Sequence, residues 1–304
     1  MENAILSIKN LVKRYGSSGV NAVDGISFDV YAGEFFCFLG VNGAGKSTTI
    51  NILCTLIEKT QGEITLNDYI LGKNDNEIRQ SIGVVFQGNA LDGVLTAGEN
   101  IISRAAFYGF NRVQAKRRLE ELAESLSMTS FIGRRYDRLS GGQRRKCDIA
   151  RALLAKPKIL FLDEPTTGLD PQSRIELWET IEEIRNNYNM TVFLTTHYME
   201  ETENADRVAI IDGGKVLCID SPQQLKTKYT TDTLRLVVKK GCNAELERHL
   251  KDFEIVADTY VVKMKNGIDS IDFLPHVKPY LDSFEMEKGN MDSVFLNVVG
   301  RKAV

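Results

Sequence analysis

Residues 40–48 read GVNGAGKST and directly follow the apolar run Phe35-Phe36-Cys37-Phe38-Leu39. Glycines, a lysine and a hydroxyl at this spacing, between a strand and the helix-forming STTINILCTLI, make a loop whose backbone N–H groups turn inward around phosphate. Gly40, Gly43 and Gly45 permit the bend, Lys46 is placed to reach the β and γ phosphates of a nucleotide, and the Ser47 hydroxyl suits Mg²⁺. A second run, KILFLDE (158–164), buries four apolar residues and then releases two carboxylates at a strand's C-terminal edge, where ligands of open α/β sheets sit. Asp163 is placed for the metal shell. Glu164 is placed to orient a water and accept its proton, because neighbouring strand residues point to opposite sides.

Three further residues gain weight from this pairing. His197 ends the apolar strand TVFLTT, Gln87 follows GVVF, and Tyr15 in KRYG is an aromatic able to stack on a purine. LSGGQ (139–143) sets a serine and two glycines ahead of the helix-like GGQRRKCDIARALLA. Ser140 is a good N-cap there, so this is a second corner suited to an anion. Arg144, Arg145 and Lys146 read as the solvated face of that helix.

The elements that must position these residues follow from periodicity. Apolar strands at 35–39, 82–86, 158–164, 191–197 and 207–212 alternate with helical segments, which predicts a parallel sheet covered on both faces. A helical insert is expected from about 89 to 155. Beyond 230 the pattern shifts. Leu234, Leu236 and Val238 alternate, Leu246, Leu250 and Phe253 are helically spaced, Tyr260, Val262 and Met264 alternate, and Ile271, Leu274, Val277 and Leu281 are helical again. The expected division is 1–229 and a small α+β domain at 230–304.

With 304 residues, 43% hydrophobic and a net charge of -3, the chain has the makings of a soluble globular protein without the basic excess of a nucleic-acid binder. MENAILSIKN lacks a basic stretch leading into an apolar one, so a cytoplasmic location is expected. Five scattered cysteines, with no C-x-x-C pair, read as reduced thiols.

Taken in order, these motifs resemble the ATP-binding subunit of an ABC transporter over about residues 5 to 225. The resemblance makes Tyr15 the adenine-stacking aromatic and Gly40 through Thr48, with Asn42, Ala44 and Thr48, the Walker A loop. Gln87 becomes the Q-loop and a magnesium ligand beside Ser47 and Asp163. Ser140, Gly141, Gly142 and Gln143 form the signature, Asp170 of GLD the D-loop, Glu164 the catalytic base and His197 the switch histidine. Val41 departs from the usual proline of GPNGAGKST. The resemblance implies an α/β P-loop NTPase fold with a mixed-sheet core and a helical subdomain. It implies ATP and Mg²⁺ as cofactors, and a homodimer or a pair with a similar subunit closing head to tail so that each signature meets the partner's ATP.

GLDPQSRIELWETI, TTHYMEETENADRVAIIDGGKV and MDSVFLNVVG are similar to the daunorubicin-resistance exporter group, whose permease is a separate ABC-2 polypeptide. That implies a peripheral position on the inner face of the cell membrane. In this family the permease docks near Gln87, where Leu91, Val94, Leu95, Ile101, Phe107 and Tyr108 supply apolar residues. The alternatives are a soluble ABC ATPase acting on ribosomes or DNA, and the ATPase of an importer.

Overall fold

The computed structural model describes residues 4–16, 19–88, 90–264 and 267–300. Residues 1–3 and 301–304, at the outer limits of the two expected domains, and Asn89, the expected start of the helical insert, lie outside the described residues. The chain divides into two units, Met1–Ile219 and Asp220–Val304.

The first unit contains β1 (Ala4–Arg14), β2 (Asn21–Tyr31), β3 (Phe35–Leu39), α1 (Lys46–Leu53), β4 (Gln61–Leu66), β5 (Tyr69–Ile70), α2 (Asp75–Ser81) and β6 (Ile82–Val85). It continues with α3 (Ala97–Ala105), α4 (Arg112–Ser125), α5 (Gly141–Ala152), β7 (Ile159–Asp163), α6 (Pro171–Tyr188), β8 (Thr191–Thr196), β9 (Arg207–Asp212) and β10 (Lys215–Asp220). Two sheets form, in the orders β2-β1-β4-β5 and β10-β9-β3-β8-β7-β6. The first is antiparallel in its pairings β1/β2, β1/β4 and β4/β5. In the second, β9, β3, β8, β7 and β6 run parallel. The fold is thus α/β with a mixed set of strands.

Phenylalanines weld the two sheets together. Phe28 of β2 stacks on Phe36 of β3 at 5.2 Å, and Phe193 of β8 meets Phe36 and Phe161 at 5.4 Å each. All five residues of β3 and of β7 are buried, as a strand covered on both faces requires. The helices α3, α4 and α5 occupy the expected insert. Capping boxes start all three, at Thr96/Glu99, Asn111/Gln114 and Ser140/Gln143, each taking up two of the helix's orphan N–H donors.

The second unit contains α7 (Pro222–Tyr229), β11 (Asp232–Val238), α8 (Asn243–Glu247), β12 (Glu254–Val256), β13 (Thr259–Met264), α9 (Asp269–Val277), β14 (Leu281–Glu287) and α10 (Met291–Gly300). It opens before residue 230 because α7 packs with α10, Asn297 Nδ2 donating to the Tyr229 carbonyl at 2.7 Å. The sheet order β12-β13-β11-β14, antiparallel throughout, with α8 and α9 as crossovers, is a split β-α-β arrangement. Leu234, Leu236, Leu246, Tyr260, Val262 and Val277 form its core.

Two local expectations fail here. Helix α8 stops at Glu247, so Leu250 and Phe253 reach the core from a loop. Leu281, expected on a helix with Val277, opens β14 instead, because Pro279 in the turn 278–280 has no N–H to continue α9.

Candidate active site

Parallel pairing aligns the C-terminal ends of neighbouring strands. Leu39 lies beside Thr196 and Asp163 beside Thr195, so the loops leaving β3, β8, β7 and β6 emerge side by side at one edge. These loops carry Gly40–Gly45, His197, Glu164 and Gln87. They enclose a cavity of about 480 Å³ lined by Asn42, Gly43, Gly45, Lys46, Ser47, Thr48, Gln87, Glu164 and His197, with Ala22 and Thr167.

Gly45 caps α1 with φ 108, a left-handed conformation, and a Cβ added there would stand 2.5 Å from the Ala22 carbonyl oxygen. No side chain caps α1, so its first N–H groups are left facing the loop. Buried Lys46 donates to the carbonyls of Gly40 at 2.7 Å and Val41 at 3.2 Å, and lies 3.3 Å from Glu164 Oε1. His197 Nδ1 lies 3.1 Å from Glu164 Oε2, at ion-pair distance but not aligned for a hydrogen bond. The two carboxylate oxygens thus face the lysine and the histidine separately.

Asp163 accepts from Thr195 Oγ1 at 2.5 Å and from Ser47 Oγ at 3.5 Å. Burial, with Glu164 close by, raises its pKa above the ordinary aspartate value. Glu164 diverges from Asp163 for a different reason than strand alternation. It lies beyond β7 with φ 47, a left-handed backbone held by its N–H bond to the Thr195 carbonyl at 3.0 Å.

The structure does not bring every expected residue to this cavity. Tyr15 is exposed beside it, its hydroxyl 3.4 Å from Thr48 Oγ1 and Lys13 Nζ 5.0 Å from its ring centre. Gly40 and Ala44 are buried beneath the loop. Ser140, Gly141, Gly142, Gln143 and Asp170 stand elsewhere, with Ser140, Gly141 and Asp170 exposed and Gly142 buried beneath them. Ser140 and Gln143 close the cap of α5, Asp170 caps α6 through Ser173, and Cβ atoms added at Gly141 and Gly142 would stand 3.0 Å from Leu169 and Ser173.

Several expectations are corrected. Arg145 is no solvated residue: it is buried and donates to the Phe86 carbonyl at 2.7 Å. Leu91, expected to offer apolar surface, is buried, as is Ile101 on α3, whereas Val94 is 69% exposed and Phe107, expected to pack within the insert, is 81% exposed. Sequence reasoning missed Thr167, whose hydroxyl donates to Glu164 Oε2 at 3.4 Å, and Thr195. It also missed Glu201, a buried carboxylate that accepts from Thr166 and so ties the loop after Glu164 to the turn after His197. The threonine doublets PTT and LTT beside the acids and the histidine were the available signal.

A profile of the ABC transporter family matches residues 23–167. Over 98% of its length the chain is 36% identical to the linearmycin resistance ATP-binding protein LnrL of Bacillus subtilis (strain 168), 99% of which is covered. The chain belongs to the ABC transporter family. It is 33% identical, again over 98% of its length, to the daunorubicin/doxorubicin resistance ATP-binding protein DrrA of Streptomyces peucetius, 93% of which is covered. The ATP-binding cassette MJ0796, solved as a dimer in a post-hydrolysis state bound to ADP and Pi, matches with a TM-score of 0.64 at 27% identity, over 71% of this chain and 98% of that one. As an ABC ATPase with a P-loop NTPase fold, the chain binds and hydrolyses ATP.

Proposed function

We propose that this ABC ATPase is the motor subunit of an exporter, paired head to tail with a second copy or a similar subunit and driving a separate ABC-2 type membrane permease. The observation that carries the reading is the convergence of Lys46, Ser47, Gln87, Glu164 and His197 on one cavity of about 480 Å³. That volume suits a nucleotide's buried part. Lys46 and the uncapped N–H groups of α1 hold the phosphates, and Tyr15 stacks on the adenine.

The donors of Ser47, Gln87 and Asp163 are all oxygens, which fit a hard divalent cation. Among the described residues no group of three or more His, Cys, Asp and Glu forms a rival metal site. Ser47, Gln87 and Asp163 would hold magnesium there, where it would supply neutralising charge to the phosphate oxygens. Glu164 orients the attacking water and accepts its proton, while His197 steadies the carboxylate and faces the γ-phosphate. The corner of exposed Ser140 and Gly141, with buried Gly142 and half-buried Gln143 beside them and Asp170 at the same seam, closes on the ATP bound by the partner.

Among the described residues no helix is long and apolar enough to cross a membrane, so the stroke is passed to a separate protein. Relatives named for resistance to linearmycin and to daunorubicin favour export over import or a ribosome- or DNA-directed role. Val94, with Phe107 and Tyr108, gives the permease an apolar foothold at the inner face of the membrane. Purification from gently solubilised cells is expected to bring down a polytopic membrane protein, and Val94→Glu to release it with ATP binding intact. Recovery of ribosomes or DNA-repair proteins in its place overturns the transport reading.

A further inference from the structure

Helix α5 begins at the signature corner and carries Arg145, Asp148 and Arg151 on one side at a spacing of three. Arg145 is 5% and Asp148 2% exposed. Burying such charges is costly unless their hydrogen bonds are met. They are met in large part by the backbone of one segment. Arg145 Nη1 donates to the Phe86 carbonyl at 2.7 Å and Nη2 to the Gln87 carbonyl at 3.4 Å, while Arg151 Nη2 donates to the Val84 carbonyl at 2.5 Å. Asp148, on the same side of α5 as the two arginines, takes the Ala90 N–H and accepts from the Tyr136 hydroxyl at 3.4 Å. Val84, Phe86, Gln87 and Ala90 are therefore gripped from α5, on both sides of Gln87 and at Gln87 itself. Gln87, Gly88 and Ala90 are themselves exposed, so little else in the core holds this stretch.

We propose that Arg145, backed by Asp148 and Arg151, is a positioning residue that ties the signature corner to the Gln87 segment of the same chain. The proposal rests on the head-to-tail reading above. In that arrangement the signature of a chain acts in its partner's site, whereas its Gln87 acts in its own. A helix of twelve residues fixed at both points makes the two sites feel each other: when Ser140 is drawn onto the partner's nucleotide, Arg145 moves the Gln87 carbonyl with it. Main-chain carbonyls suit this role because they report the path of the segment whatever its side chains do.

The test uses heterodimers with one live site. Mixing Lys46→Ala chains with Ser140→Arg chains leaves a single intact site, formed by the nucleotide loop and Gln87 of the Ser140→Arg chain and the signature of the Lys46→Ala chain. Arg145→Gln is then added to either chain in turn. In the Ser140→Arg chain it disturbs the Gln87 side of the live site; in the Lys46→Ala chain it disturbs only the signature side.

The tie requires hydrolysis to slow about tenfold in both placements, within the range of residues that carry coupling, while ATP affinity of the separate monomers stays unchanged. Slowing in one placement only, or in neither, overturns the proposal. An inactive starting heterodimer, with heterodimers shown to form, defeats the head-to-tail reading and the tie with it. If Arg145→Gln lowers the melting temperature too far for use, the near-isosteric Asp148→Asn takes its place in the same two positions. Slowing in both again supports the tie, and unchanged rates overturn it. In the homodimer, Arg145→Gln is expected to bring the Hill coefficient for ATP towards one, with Arg145→Lys restoring part of it.

Discussion

Two glycine-bearing helix starts in the first unit make a useful pair. At the start of α1, Gly45 supplies a left-handed turn, no side chain caps the helix, and buried Lys46 pairs with Glu164. At the start of α5, Ser140 and Gln143 satisfy the helix end themselves, and the corner is exposed with glycines packed towards Leu169 and Ser173. Both corners are suited to an anion, but only the first stands among the groups needed to hydrolyse one. The second is built to be folded and soluble before it meets a ligand. A self-capped, exposed anion corner is what a shared site requires, since it must survive alone until the partner arrives.

The largest break in this comparison comes from Lys46→Ala. Losing the charge beside the β and γ phosphates should weaken ATP binding about 100-fold or more, and hydrolysis with it, as equilibrium binding of a fluorescent nucleotide will show. Ser140→Arg should abolish hydrolysis but leave nucleotide affinity of the monomer as it was. Equal damage to binding by both variants would erase the distinction between the corners. Glu164→Gln should keep ATP bound while slowing turnover by ~10²-fold or more, accumulating an ATP-loaded dimer in size-exclusion chromatography.

The smallest effect sharpens what the first corner costs. Burial raises the pKa of Asp163, so the fold favours its protonated form. The contribution of that preference is fully present below the unfolded value of 3.8 and is lost as pH rises through the raised folded value. Asp163→Asn, neutral at every pH, should therefore melt at a higher temperature than the wild type near pH 7, with the gap closing towards pH 3.8. Calorimetry across that range checks the direction, and a gap that widens in acid would refute it.

The chemistry was legible because it sits at the ends of long apolar runs. Leu39 hands over to Gly40, Leu162 to Asp163, and Thr196 to His197, so a parallel sheet places the loops without further information. What the chain hides is of two kinds. Strand β4 reads QGEITL, with only Ile64 and Leu66 buried, too short an alternation to announce itself before it pairs with β1. Arg145 has the local signature of a surface residue, since its destination is set by carbonyls on a strand end far away in sequence. Leu91 and Phe107 were misread for the same reason: burial inside the insert depends on how its helices meet.

Glu164 carries its carboxylate on a backbone turned to φ 47, a conformation glycine adopts freely and glutamate only at the cost of about 1 kcal/mol. Directed evolution of this chain for heat resistance alone therefore has an easy route to take. Glycine at 164 would relax the turn and remove a buried acid at once, and a screen reading only melting temperature would enrich it. The winners of such a screen would be sturdier and inert, which makes turnover, not thermal survival, the trait to select when engineering this subunit.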